Sequence, residues 1–381
     1  MRWDRGCWPA AALTAALLLA CTPAPPVPAP VAPAAVGGQS APAAPQETPS
    51  LQTLVEAARK EGQLTLVWSA GILGGSQGAA RLIAGFNRYH GLNVSVQYTP
   101  GPSPSDLVAR LVQEQQTGRP ATTDVFWGGA DSVYALSRAQ VLEPADWAVW
   151  APNVRDSRLL SPRGDAVEIA SFLPGITYNA SKLAGDAVPR SMDDLLKPQY
   201  KGRVASTPYV IHFDSLASPE LWGEERVLVY AAKLSDQLAG LMRCGEHERV
   251  ASGEFDLFAL DCGSFGARRL AAEGAPLDHS IPRDAALLQT NSMGVPRHAA
   301  HPAAAKLFVD YMLTREAQDY VYEWYFSDHP LLPGSKAAAE IEKARADRAQ
   351  LTSLDVAFFE RNEGRHLDQV AAEVQRLFQQ R

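Results

Sequence analysis

Beyond residue 50 the apolar positions follow two periods in turn. Leu64-Thr-Leu-Val-Trp68 is a near-continuous apolar run, the pattern of a strand buried on both faces. A Gly-rich loop over 69–78 and a helix over 79–89 follow it. Val94, Val96 and Tyr98 alternate, which predicts a strand over 93–98. Ser103-Pro104 predicts the cap of a helix reaching about Thr117, with proline in its first turn. Asp124–Trp127 predicts a third strand ending in Gly128-Gly129, and Asp131 is placed to cap the next helix. Strands alternating with helices predict a parallel, doubly wound sheet.

The pattern restarts at Val167–Phe172 and Gly175–Asn179. Arg203–Ser206, Phe255–Leu260 and Asn291–Val295 read as further strands, with helices near 219–232 and 246–252. His301-Pro302 opens a helix that carries Ala304, Leu307, Phe308, Tyr311 and Met312 on one apolar face. Helices dominate from there onward. Two α/β lobes follow from this order, with the chain crossing between them near 168–173 and 279–283.

Ahead of this the pattern disappears. Of the 28 prolines, nine fall between Thr22 and Ser50, in a stretch whose one charge is Glu47. Such a segment cannot offset the entropy of ordering a core and reads as an extended tether. Arg2 and Arg5 precede an apolar run from Ala10 to Ala20, too short to span a bilayer. The expected division is a signal peptide over 1–20, a tether over 21–50, a first lobe over 51–170 and a second over 171–280. The chain then returns to the first lobe over 281–330, and C-terminal helices over 331–381 pack on both.

Composition narrows the function. A formal charge of -7 argues against a protein that tracks phosphates, which would carry a basic face. Cys244 and Cys262, 18 apart, either form a disulfide or remain buried thiols. Ligands in open α/β sheets bind beyond the carboxyl ends of strands. Those ends hold Ser69, Gly71, Gly75, Ser76, Gly129, Asp131, Tyr209, His212, Asp214 and Asp261, with Trp68, Trp127 and Tyr178 nearby. Small residues let backbone N–H groups approach a ligand; the competing reading is ordinary turn chemistry.

Gly74-Gly-Ser76-Gln-Gly78 matches the G-x-S-x-G nucleophile elbow, but it does not follow directly on a strand. A surface-tethered esterase using Ser76, with His329 or His366, is the alternative of another class. The stretch lacks the G-K-[ST] of a P-loop. His247, His298 and His301 are read as loop histidines, and no metal or cofactor is expected.

Ordered segments then carry a resemblance. LTLVWSAG, AARLIAGFNRYHGLNVSV, TTDVFWGGADSVYALSRAQVLEP, GITYNASKL, LLKPQYKGRVA, ASGEFDLFALD and NSMGVPRHAAHPAAAKLFVDYMLTREAQ follow in the order found in bacterial ABC-transporter solute-binding proteins. The chain resembles the branch that includes the iron(III)-binding proteins, and Leu18-Leu19-Ala20-Cys21 resembles a lipobox with Cys21 as the lipidated residue. The resemblance implies a type II periplasmic-binding-protein fold, two lobes closing by hinge motion, and delivery of a small solute to a permease and its ATPase. It also implies a place in the cell envelope, held by a lipid anchor on the periplasmic or extracellular face.

The residues depart from the iron pattern. Where iron(III) members carry paired tyrosines, this chain has Asp261 and Cys262; Gly128-Gly129 stand where a carboxylate often does, and SAGILGG lacks the usual histidine. The expected cargo is therefore a small organic or oxyanionic solute on the Gly/Ser loop amides, against Trp68, Trp127 or Tyr209. If Asp131, Asp214 and Asp261 all face the cleft, a cationic or amine-bearing solute fits better. An iron chelate is the alternative within the family.

Overall fold

The structure, a computed structural model, describes residues 49–69 and 72–380. The signal peptide, Cys21, most of the tether and Gly71 lie outside these residues.

The first half builds α1 (Pro49–Glu61), β1 (Gln63–Ser69), α2 (Gly75–His90), β2 (Ser95–Gly101), α3 (Pro104–Thr117), β3 (Phe126–Gly129), α4 (Ala130–Arg138), α5 (Trp147–Trp150) and β4 (Ala166–Phe172). The middle builds β5 (Ile176–Asn179), β6 (Val204–Ser206), α6 (Phe213–Leu216), α7 (Glu224–Ser235), β7 (Leu238–Leu241), α8 (Glu248–Ala251), β8 (Leu257–Phe258), α9 (Phe265–Ala272) and β9 (Leu277–Ser280). The chain ends with β10 (Ala286–Gly294), α10 (Pro302–Tyr311), α11 (Arg315–Tyr325), α12 (Lys336–Ala346), β11 (Leu351–Leu354), α13 (Val356–Arg361) and α14 (Leu367–Gln379).

Several boundaries follow from local chemistry. Ser103 caps α3 by accepting the Asp106 N–H at 3.3 Å, with Pro104 in the first turn. Gly91 and Gly118 end α2 and α3 in the left-handed conformation that glycine adopts without strain. Proline is tolerated at a first helical position, so α1 starts at Pro49, inside the segment read as tether.

Other boundaries differ from the sequence reading. Helix α2 begins at Gly75, four residues before the expected start, because a 3-10 turn at Ile72–Gly74 leads straight into it. Asp131 does not cap α4; Gly129 is the cap residue, without a side-chain bond, and Asp131 lies in the first turn.

The sheets are mixed rather than wholly parallel. β1 and β2 pair in parallel. β10 runs antiparallel to β3 and β4 and parallel to β11. The second sheet has the order β7-β6-β8-β5-β9, with β6 parallel to β7 and β8 and β5 antiparallel to its neighbours. Strand β10, which returns after β9 of the other sheet, runs against both β3 and β4, a direction that a count of alternating elements does not reveal.

Two main cores result. One packs Leu64, Leu66, Trp68, Phe86, Trp127, Phe308 and Val321. The other packs Ile176, Val204, Phe213, Tyr230 and Leu257 with Phe358, Val374 and Phe378 from the last helices. The chain passes from the four-stranded sheet of β3, β4, β10 and β11 to the five-stranded sheet between β4 and β5, and back between β9 and β10. No described helix is long and apolar enough to cross a membrane.

Candidate functional site

The segment after β3 and the segment after β6 line one cavity of about 250 Å³. Ala130 and Asp131 open α4, directly after β3 of the four-stranded sheet, and Tyr209, Val210, Ile211, His212, Asp214 and Ser215 follow β6 of the five-stranded sheet. Gln289 of β10 lies between them, and Leu354, Phe359 and Ala371 from the last elements complete the wall. The lining holds two carboxylates and neither lysine nor arginine.

Asp131 is exposed at the N-terminus of α4, where the helix dipole favours its negative charge. Asp214 is half-buried, and Ser215 donates its N–H to Asp214 Oδ1 at 2.7 Å. Burial pushes the Asp214 carboxyl above the usual carboxylate range, and the Asp131 charge adds to the shift. The Asp131 charge is therefore felt at Asp214. His212 is buried, its Nε2 without a hydrogen-bond partner, and burial lowers its pKa to about 4. It is a neutral imidazole at pH 7.

Tyr209 is 46% exposed at the rim, and its Oη accepts the Cys244 N–H at 2.9 Å. Cys244 is disulfide-bonded to Cys262, their Cα atoms 5.8 Å apart.

Other residues selected from the sequence lie elsewhere. Asp261 is wholly buried: Oδ1 accepts the N–H groups of Gly175, Gly263 and Ser264 at 3.0, 3.1 and 3.0 Å, and Oδ2 accepts the Thr177 hydroxyl at 2.6 Å. Its oxygens hold the protein together and do not face the cavity. Trp68 and Trp127 are core residues at 1% and 3% exposure, so neither presents a face to a solute at this cavity. Tyr178 donates to Asp278 Oδ2 at 2.9 Å and borders a different cavity, with Arg190 and Arg283; burial, then Asp278, push its phenol up to about 12. Ser69 donates to the Pro102 carbonyl at 2.6 Å. Gly75 opens α2 in the left-handed region, and Ser76 is exposed in that helix's first turn rather than on a strand-to-helix elbow.

A third, more apolar cavity of about 430 Å³ lies between Ile72, His247, Phe265, Arg269, Trp324 and Tyr325. Aromatic rings link β3 and β4 to α9 and α11 beside it. Tyr325 stacks on Trp127 at 6.2 Å and meets Phe172 and Phe265 edge-on at 5.4 and 5.7 Å. Arg269 donates to the Trp324 carbonyl at 2.8 Å. Among the described residues no group of three or more His, Cys, Asp or Glu side chains is placed to hold a metal ion.

Sequence reasoning passed over Tyr325, Phe359 and Ala371. The only signal for the last was that Val370, Val374 and Phe378 mark one buried face of α14, which brings Ala371 beside it.

Comparison with known proteins agrees with this architecture. The profile described as bacterial extracellular solute-binding protein matches residues 81–349, more than half of the chain. The Fe(3+)-binding periplasmic protein of Serratia marcescens is 24% identical over 294 residues, covering 72% of this chain and 83% of that protein. Iron-bound HitA from Pseudomonas aeruginosa superposes with a TM-score of 0.66 at 18% identity, covering 82% of this chain and 99% of that one. The substrate binding protein of an ABC transporter from Agrobacterium tumefaciens gives 0.64 at 17%, covering 84% and 97%. The spermidine/putrescine ABC transporter substrate-binding protein PotD from Streptococcus pneumoniae gives 0.58 at 16%, covering 83% and 99%. At these identities the structures establish the two-lobed fold alone. The family match over more than half of its length makes this chain a member of the bacterial extracellular solute-binding proteins.

Proposed function

We propose that the protein captures a small cationic or amine-bearing solute in the cavity between Asp131 and Asp214 and passes it to an ABC permease and its ATPase. The observation that carries this reading is a cavity reached from both lobes whose charged lining is two carboxylates without a basic residue. A bound cation would relieve the mutual repulsion that helps to raise the Asp214 pKa. Closure of the lobes over the solute would present the permease with a surface that the empty protein adopts rarely. The lobes are taken to meet near residues 170 and 280. Cys21 is taken to be the lipidated residue that holds the protein at the envelope, and the role is binding without catalysis.

The direct test is a thermal-shift and calorimetric screen that sets amines, quaternary ammonium compounds and amino-acid amides against oxyanions. A ligand at a hundredfold excess over its Kd raises stability by about 2.7 kcal/mol. Stabilisation by cations that is lost in Asp131→Asn and Asp214→Asn supports the reading; stabilisation by oxyanions alone overturns it. Cys21→Ala, with the protein then recovered from the soluble rather than the membrane fraction, tests the anchor.

Kinship with an Fe(3+)-binding protein supports a second reading, an iron chelate, and ferric citrate belongs in the same screen. A bare ferric ion ligated at the 261–262 loop does not fit these residues. The Asp261 oxygens already accept four hydrogen bonds and Cys262 is in a disulfide.

A further inference from the structure

The Cys244–Cys262 disulfide lies at a particular place in the second sheet. β7 and β8 flank β6, and all three run parallel. Cys244 follows β7, Cys262 follows β8, and the segment 207–212 that carries Tyr209 follows β6. Strands two apart in a sheet are separated by roughly 10 Å. The two cysteine Cα atoms are 5.8 Å apart. The outer loops therefore converge beyond the end of β6, beside the loop that supplies most of the second-lobe wall of the acidic cavity.

One end of this bridge is fixed. Cys262 follows Asp261, whose carboxylate is tied to Gly175, Thr177, Gly263 and Ser264. The other end holds Tyr209, since the Cys244 N–H donates to its Oη at 2.9 Å. The ring is otherwise 46% exposed. The loop it belongs to is strained: Val210 and His212 have φ of +46° and +69°, values that non-glycine residues, and β-branched ones above all, adopt at a cost. Such a loop keeps its shape only where its surroundings dictate it. As an acceptor, Tyr209 Oη keeps its own proton free to donate into the cavity.

We propose that the Cys244–Cys262 disulfide is a positioning device for the solute site, fixing Tyr209 at the rim of the acidic cavity through the Cys244 amide. The hydrogen bond from the Cys244 amide to Tyr209 is the link through which the disulfide acts on binding. This inference rests on the cation reading of the cavity for its effect on affinity, but not for its effect on the loop.

The test uses the mature protein, a Cys244→Ser/Cys262→Ser variant, Tyr209→Phe, and the three changes combined. Hydrogen exchange is followed in peptides covering 207–213 and 242–247, and the affinity for 1,4-diaminobutane is measured by calorimetry. Loss of the bridge should speed exchange over 207–213 by about tenfold while the β4 and β10 amides stay unchanged. Tyr209→Phe should speed exchange of the Cys244 amide. Each variant should weaken diamine binding about fivefold, the worth of one hydrogen bond, and the combined protein should bind no more weakly than the serine pair.

Losses that add, or unchanged exchange over 207–213 in the serine pair, would overturn the proposal and leave the disulfide as a stabilising cross-link alone. If the diamine does not bind the unmodified protein, the cation reading suffers and the exchange results still decide this one. If the serine pair does not fold, Tyr209→Phe decides it through the Cys244 amide.

Discussion

The Asp261 carboxylate accepts the hydroxyl of Thr177 at 2.6 Å, from a strand 84 residues earlier in the chain. With three main-chain N–H groups on its other oxygen, it fastens the loop after β8 to the crossing between the sheets. Asp261→Ala leaves these buried donors without an acceptor. It should cost roughly 3 kcal/mol or more in urea denaturation, and Asp261→Asn less, since an amide oxygen still accepts. Equal small losses for both would show that the carboxylate is not the tie.

The acidic cavity makes cation affinity depend on pH. The Asp214 carboxyl lies above the usual range, raised by burial and by Asp131, so it starts to gain a proton at a higher pH than an ordinary carboxylate. Affinity for an amine should fall on acidification, beginning at a higher pH than an ordinary carboxylate would set. Asp131→Asn removes one source of the upward shift and should move that fall to lower pH, besides weakening binding at pH 7 by about tenfold. Calorimetry at four or five pH values reads both effects.

His90 couples stability to acid. It is buried against Phe86 and Tyr89, ring centroids 5.2 and 4.8 Å away, and burial lowers its pKa to about 4. Between the usual value near 6.5 and about 4, the unfolded chain takes up a proton that the folded protein refuses. This contribution is therefore lost as pH falls through that window, at up to about 1.4 kcal/mol per pH unit. Asp310, raised to about 6 by burial, acts in the opposite sense and is common to both proteins compared. Relative to the unmodified protein, His90→Leu should gain about 2 kcal/mol between pH 7 and pH 5. A constant difference across that range would show that His90 takes up its proton at the same pH in the folded protein as in the unfolded chain.

Gly78 separates packing from catalysis in the G-x-S-x-G stretch. A Cβ there would lie 1.5 Å from the Leu73 carbonyl oxygen and 2.5 Å from the Tyr320 hydroxyl. At Gly91, in the left-handed region, a Cβ meets nothing within 4 Å. Gly78→Ala should destabilise by more than about 3 kcal/mol and Gly91→Ala by about 1 kcal/mol, read from thermal melts of the two variants. Comparable losses would mean that α2 shifts to admit the methyl group. The second glycine of the motif is thus explained by the close approach of the 3-10 turn to α2, without a nucleophile.

Much of the scaffold was legible along the chain. The run 64–68, the alternation at 94–98, the Ser103-Pro104 start and the apolar face of 304–312 each became the expected element, because periodicity and capping are local properties of neighbouring residues. The reading of α4 failed on a local point. An aspartate two residues past a Gly-Gly pair looks like a cap, yet Gly129 already occupies that position.

The sequence by itself determined the family resemblance, most strands and helices, and the loops near which a solute would be sought. The tertiary structure alone decided which of those loop residues face open space. Asp131 and Asp214 do, while Asp261 and Trp127 are taken up by partners or by the core and Tyr178 borders a different cavity. Periodicity is set by residues three or four apart, but a carboxylate's burial and the saturation of its oxygens are set by groups as distant in sequence as Thr177 is from Asp261.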